Sequence, residues 1–137
     1  MWCGESTIGR VPPSRTLTYW LPVVLWAAVI FAFSSIPSLS SGLGTWDLVL
    51  RKLAHATEYA VLGVLLVRAL QRELPALALG VAYAASDELH QAFVRGRHAA
   101  ALDVAIDSVG LVLGVLAWRR VREVREIRAA RSESTLS

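Results

Sequence analysis

The chain has 137 residues and a mass of 14.9 kDa, enough for one small domain. Hydrophobic residues make up 55% and charged residues only 18%, with a mean hydropathy of +0.49, which argues against both a soluble globular domain and a disordered chain. The pI near 9.6 would ordinarily point to nucleic acid, but the basic residues flank long apolar blocks, as in membrane topology, so no nucleic-acid partner is expected. Cys3 is the sole cysteine and cannot form an intrachain disulfide.

Residues 1–16 form an N-terminal segment carrying Arg10 and Arg15. The first apolar block, Leu17 to Ile36, holds no charge and gives about 30 Å of helix, enough to cross a bilayer. It exceeds the roughly 7–15 apolar residues of a signal peptide, so a retained span is expected. A loop rich in Ser and Gly follows, from Pro37 to Asp47. The second span is expected from Leu53 to Leu70, with a tight turn at Gln71–Leu74. The third runs from Pro75 to Val94, with Pro75 suited to a first helical turn. After a loop from Arg95 to Ala101 comes a short fourth span, from Asp103 to Trp118. Residues 119–137 are a tail in which arginines alternate with Val121, Val124 and Ile127, either a solvated basic tail or a basic amphipathic helix on the membrane surface. Trp20, Trp46 and Trp118 fall near the expected interfaces, as an aromatic belt would place them. The expected fold is an all-α, four-helix transmembrane bundle comprising residues 17–118.

Counting Lys and Arg sets the orientation. Ten fall in the N-terminal segment, the Gln71 turn region and the tail, against four on the other side: Arg51, Lys52, Arg95 and Arg97. Four spans with both termini in the cytoplasm satisfy this division.

Charge within a span costs roughly 2.5–3.5 kcal/mol even on a mild insertion scale, so polar stripes in apolar blocks mark candidate sites. On the second span, Lys52, His55, Tyr59 and Gly63 form one stripe, with Glu58 at its margin. On the third, Tyr83, Asp87 and Gln91 share a face flanked by Glu88 and His90. On the fourth, Asp103, Asp107, Gly110 and Gly114 align, the glycines permitting close helix approach. By helical rise, Glu58 and Tyr59 lie about 9 Å from the start of their span, Asp87 about 10 Å from the end of its own, and Asp107 about 6 Å into its own. All three stripes therefore share one level toward the extracytoplasmic side, where a polar pocket is expected, with Ser34 and Ser35 closing the first span there.

Several chemistries suit this set. His55 with Glu58 or Asp87 fits general acid–base work, and Glu88, Asp103 and Asp107 are further catalytic candidates. Lys52, Tyr59, Gln91 and Arg97 are candidates for substrate binding, Arg97 through an anionic group. Asp87, Glu88, His90, Asp103 and Asp107 offer ligands for Mg²⁺ or Mn²⁺, but no HExxH or CxxC spacing is present and His90 points about 60° from Asp87 on an ideal helix. Ser34 or Ser35 as a nucleophile is a weaker reading, since serines at helix ends commonly cap. The charges can also simply pair to lock a bundle; on that reading, losing Asp103 strands Lys52 at a cost of roughly 3–5 kcal/mol.

Segments 51–63 (RKLAHATEYAVLG), 83–97 (YAASDELHQAFVRGR) and 102–110 (LDVAIDSVG), with FSSIP at 33–37, resemble the signature blocks of the VanZ-like family. The similarity covers roughly residues 20–117. Its polar residues map here to Lys52, His55, Glu58, Tyr59, Asp87, Glu88, Gln91, Arg97, Asp103 and Asp107. Arg95 stands where a proline often precedes the Gly–Arg pair. The resemblance implies a multi-pass protein of the bacterial cytoplasmic membrane with a role in the envelope, the founding member being associated with teicoplanin resistance. Partners implied are the bilayer and a lipid headgroup or cell-wall precursor. The alternative is a non-catalytic bundle that supports a partner membrane protein. Cofactors and oligomeric state are left open.

Overall fold

The computed structural model describes residues 15–37, 45–97 and 100–134. Cys3, Arg10 and the rest of residues 1–14, together with residues 38–44 of the first loop, lie outside the described residues. Four helices follow in chain order: α1 (Arg15–Ser34), α2 (Thr45–Leu70), α3 (Glu73–Gln91) and α4 (Ala101–Ser134). The all-α expectation holds.

The helices turn much of their apolar surface outward. Leu21, Val24, Leu25, Phe31 and Phe33 of α1 are exposed, as are Leu50 and Leu53 of α2 and Val109, Leu113 and Leu116 of α4. Such surface is costly in water and well solvated by lipid chains. α1, α2 and α4 are each long and apolar enough to cross a membrane. α3, with 19 residues, is long enough but less apolar, and is not among them. Its apolar stretch is short because Glu73 opens the helix and Asp87 and Glu88 stand near its end.

Two helix ends differ from the expected boundaries. α2 begins at Thr45, about 12 Å of helix before Leu53. Asp47 in its first turn faces the positive end of the helix dipole and pairs with Arg51 one turn later at 2.7 Å. Glu58 and Tyr59 therefore lie about 20 Å from the start of their helix, deeper than expected. α4 does not stop at Trp118 but runs on to Ser134. Beyond Gly114 the helix contains no Gly or Pro, and its Arg, Glu and Ala are good helix formers. The pairs Arg119–Glu123 (3.2 Å) and Arg122–Glu126 (3.8 Å) add support along the exposed surface. The tail is thus helical as far as Ser134.

α2 and α4 run parallel in the tightest packing of the bundle, and α3 lies antiparallel against both. α1 touches α2 and α3 but not α4 among the described residues. The α2–α4 seam depends on missing side chains. A Cβ on Gly110 or Gly114 would collide with the backbone carbonyl of Ala56 or Ala60, and one on Gly63 would lie 2.6 Å from the Leu111 carbonyl. The four-residue spacing puts Gly110 and Gly114 on one face, so two helices approach at backbone distance. Around this seam Ile30, Tyr59, Leu62, Leu66 and Leu111 form the buried core.

Gly110→Ala and Gly114→Ala are each expected to destabilise the protein by about 1–3 kcal/mol, because rigid backbone has to give way. Thermal unfolding in detergent checks this; unchanged midpoints for both would contradict the close seam.

Candidate functional site

The polar side chains gather at one end of the bundle, where α1 and α3 finish and α4 begins. On α3, Asp87 and Gln91 are four residues apart and share a face. Ser34, the last residue of α1 and fully buried, donates its hydroxyl to Asp87 Oδ2 at 2.7 Å. Gln91 Nε2 donates to the same oxygen at 3.0 Å and lies 3.2 Å from Ser34 Oγ. Arg97 extends this chain. Gly96, at φ 77°, turns the loop after α3 through a conformation that L side chains disfavour. Arg97 Nη1 then donates to Gln91 Oε1 (2.9 Å), Nη2 to the Phe33 carbonyl (3.0 Å) and Nε to the Ile36 carbonyl (3.1 Å). The guanidinium therefore clasps the open end of α1, and two of its five N–H donors remain. Burial is the main influence lowering the Arg97 pKa; Arg51 adds to it, while Asp87, Glu88 and Glu58 act in the opposite sense.

A second group fixes the start of α4. Lys52 pairs with Asp103, joining α2 to the first turn of α4. Glu88 Oε1 accepts the Ala100 N–H at 2.6 Å, so a carboxylate from α3 lies at the positive end of α4. Glu88 thereby meets a backbone donor of the kind that every helix start leaves open.

Deeper in, the polar atoms are not all matched. His55 Nδ1, Glu58 Oε2, Tyr59 Oη and Asp87 Oδ1 are buried and make no hydrogen bond. His55 Nδ1 and Glu58 Oε2 face each other at 3.8 Å, beyond hydrogen-bond length. The Tyr59 hydroxyl lies beside Asp87, short of a formed bond. The rings of His55 and Tyr83 flank Tyr59 at centroid distances of 6.5 and 6.2 Å. Asp107 is 3% exposed and lies within electrostatic reach of Asp87, Glu88, Asp103 and Glu58. Buried polar groups in folded proteins are nearly always paired, so this cluster is exceptional.

The structure brings together His55, Glu58, Tyr59, Asp87 and Asp107 from three helices, with Lys52, Glu88, Gln91, Arg97 and Asp103 nearer the end of the bundle. Two residues from the sequence reading fall elsewhere. His90 stacks on Phe31 (4.4 Å) and meets Ser35 Oγ at 3.1 Å, on the side facing α1. Arg95 is exposed. Among the described residues, no three His, Cys, Asp or Glu side chains are grouped as a metal site requires. Three contacts were not anticipated from sequence: Ser34 as a bond to Asp87, the Tyr83 hydroxyl donating to the Ala27 carbonyl (2.6 Å), and Trp26 Nε1 donating to the Glu58 carbonyl (2.8 Å). For Ser34 a signal existed, since FSSIP ends α1 at the level of the other stripes.

A sequence profile of the VanZ/LLP1 family matches residues 14–122, a stretch containing all four helical cores and every residue of the cluster. The chain belongs to the VanZ/LLP1 family. No curated protein and no solved structure matches it. Family membership and three span-length apolar helices make it a VanZ-like membrane protein.

The Lys52 and Asp103 side chains are 29% and 32% exposed, so solvent screens the pair far more than the buried ion pair expected from sequence. Asp103→Asn is expected to cost about 1 kcal/mol instead of 3–5. Gly96→Ala is expected to cost a similar amount, about 1 kcal/mol, by straining the turn that delivers Arg97. Detergent unfolding of the two variants measures both; a loss above about 3 kcal/mol for Asp103→Asn would return Lys52–Asp103 to the class of buried pairs.

Proposed function

We propose that this VanZ-like protein lies in the bacterial cytoplasmic membrane with both termini in the cytoplasm. The polar end of its bundle opens outward as a pocket that binds or acts on a lipid or cell-wall component, and so influences glycopeptide susceptibility, teicoplanin first. The observation that carries this reading is the set of buried, unpartnered polar atoms on His55, Glu58, Tyr59 and Asp87. A bundle stabilised by its own charges would pair them, because an unmade buried hydrogen bond costs about 1–3 kcal/mol. The set suits a site whose bonds are completed by an incoming molecule. In that site His55 and Glu58 exchange protons across their 3.8 Å gap once a substrate bridges it. Asp87, Glu88, Asp103 and Asp107 are the remaining acid–base candidates. Lys52, Tyr59, Gln91 and the two remaining Arg97 donors are the binding groups.

One observation favours a second reading, a non-catalytic bundle or partner-binding membrane protein. Arg97 spends three donors on Gln91, Phe33 and Ile36, as a structural clasp would.

Conservative variants separate the two. Asp87→Asn can place its carbonyl oxygen at the Oδ2 position and keep the bonds from Ser34 and Gln91, its amide replacing the unpartnered Oδ1. His55→Gln and Glu58→Gln likewise keep size and lose proton transfer or charge. At least two of these three are expected to retain wild-type expression and thermal stability while abolishing the glycopeptide phenotype of a host that depends on this protein. A phenotype kept by all three, or lost only in proportion to lost protein, makes the cluster architecture.

Orientation has its own check. Reporter fusions at Ser137 and in the Pro37–Asp47 loop are expected to read cytoplasmic and external, from the ten-to-four division of basic residues. A cytoplasmic signal from the loop reverses the direction in which the cluster faces.

A further inference from the structure

The charges at the polar end do not balance. Glu58, Asp87, Glu88, Asp103 and Asp107 all belong to it, while the cations drawn into it are Lys52 and Arg97. Arg51 is paired with Asp47, and Arg95 is exposed. Lys52 is paired with Asp103, and Glu88 has the Ala100 N–H. Glu58 and Asp87 have Arg97 within electrostatic reach but not bonded to them, His55 faces Glu58 at 3.8 Å, and Lys52 and Arg97 make no bond to Asp107. Ionised carboxylates in so dry a place require a counter-charge, because uncompensated burial costs several kcal/mol per ion.

The geometry adds a second, separate indication. Tyr59 is fully buried, 0% exposed, and its hydroxyl is unpartnered beside Asp87 and Asp107. A small shift would let that hydroxyl donate to Asp87 Oδ1. That bond would leave the carboxylate charge untouched. The unmatched oxygens of Glu58 and Asp87 are carboxylate acceptors, so the partner that completes them is a donor, and the surplus negative charge makes it a cation.

We infer that the cluster of Glu58, Tyr59, Asp87 and Asp107 is a binding site for a primary ammonium group carried by the molecule that enters it. The inference rests on the proposed pocket and names the class of its ligand. An ammonium brings three N–H donors and one positive charge to a set of acceptors with surplus negative charge. A metal ion suits the site less well, because no three of these groups are clustered at ligating distance. A quaternary ammonium has the charge but no N–H. Two envelope sources carry the group: an aminoethyl lipid headgroup and the free amine of a cell-wall peptide.

The test uses the full chain in a non-ionic detergent. Its thermal midpoint and apparent Kd are measured against phosphatidylethanolamine, phosphatidylcholine and phosphatidylglycerol in mixed micelles, and against the dipeptide alanyl-alanine in solution. One primary amine, lipid or dipeptide, is expected to raise the midpoint and to bind at least tenfold more tightly than phosphatidylglycerol and phosphatidylcholine. Whichever of the two does so assigns the source. Asp87→Asn is expected to weaken that binding at least tenfold, and Glu58→Gln serves where Asp87→Asn fails to fold. Equal stabilisation by phosphatidylglycerol or phosphatidylcholine overturns the inference. So does the absence of a shift with either amine, the result expected if protons neutralise the carboxyls, and so does undiminished binding by the folded variant. The proposed function stands or falls separately, on the glycopeptide phenotype of His55→Gln, Glu58→Gln and Asp87→Asn.

Discussion

A carboxyl group buried to 98% among helices whose outer surfaces suit lipid is the constraint around which this end of the molecule is organised. Asp87 has 2% of its surface exposed, and it cannot be hydrated there. Ser34 and Gln91 share one of its oxygens, and Arg97 binds Gln91 from behind. The consequence reaches α1, which packs on the bundle less extensively than the other helices. Its last turn is held by polar bonds: Ser34 to Asp87, and the Phe33 and Ile36 carbonyls to Arg97. The Phe33 carbonyl also accepts the Ile36 N–H at 3.2 Å, so Arg97 adds to the backbone bonds that close α1 and anchors the helix at once.

Small residues make the rest of the arrangement feasible. With Gly110 and Gly114 against Ala56 and Ala60, the parallel helices α2 and α4 approach at backbone distance. That seam brings Asp107 to the level of Tyr59 and lets Lys52 reach Asp103. Wider side chains would separate the helices and leave each polar group facing lipid alone. In a bilayer, where apolar burial gives helices little reason to associate, such close packing and polar bonding are what hold a small bundle together.

Much of this was legible in the sequence. Helical period placed His55 and Tyr59, Asp87 and Gln91, and Asp103 and Asp107 on common faces, and the alternation of spans put all of them at one end. The glycines of α4 announced a tight neighbour. Helix ends were harder to read. Thr45–Lys52 looks like loop and boundary by composition, yet Asp47 and Arg51 stabilise each other one turn apart and the helix begins early. Residues 119–134 are polar, which hides a helix whose stability comes from Arg and Glu propensity and from pairs along its surface. Nor does periodicity say which donor meets which acceptor. That Glu88 reaches the Ala100 N–H, or that Arg97 spends itself on carbonyls, depends on a loop turned by Gly96, and such turns leave no periodic trace.

The α2–α4 seam also divides the molecule mechanically. Backbone in contact with backbone cannot slide or rotate without collision, so α2 and α4 behave as one welded strut, and the uninterrupted α4 extends it about 40 Å beyond Asp107. α1 has no contact to α4 among the described residues and joins the assembly through buried Val23 and Ile30 and a handful of polar bonds at its end. A molecule bound at Asp87 bears on the polar bonds at the end of α1, while the strut carrying Asp103, Asp107 and the arginine-rich extension keeps its shape.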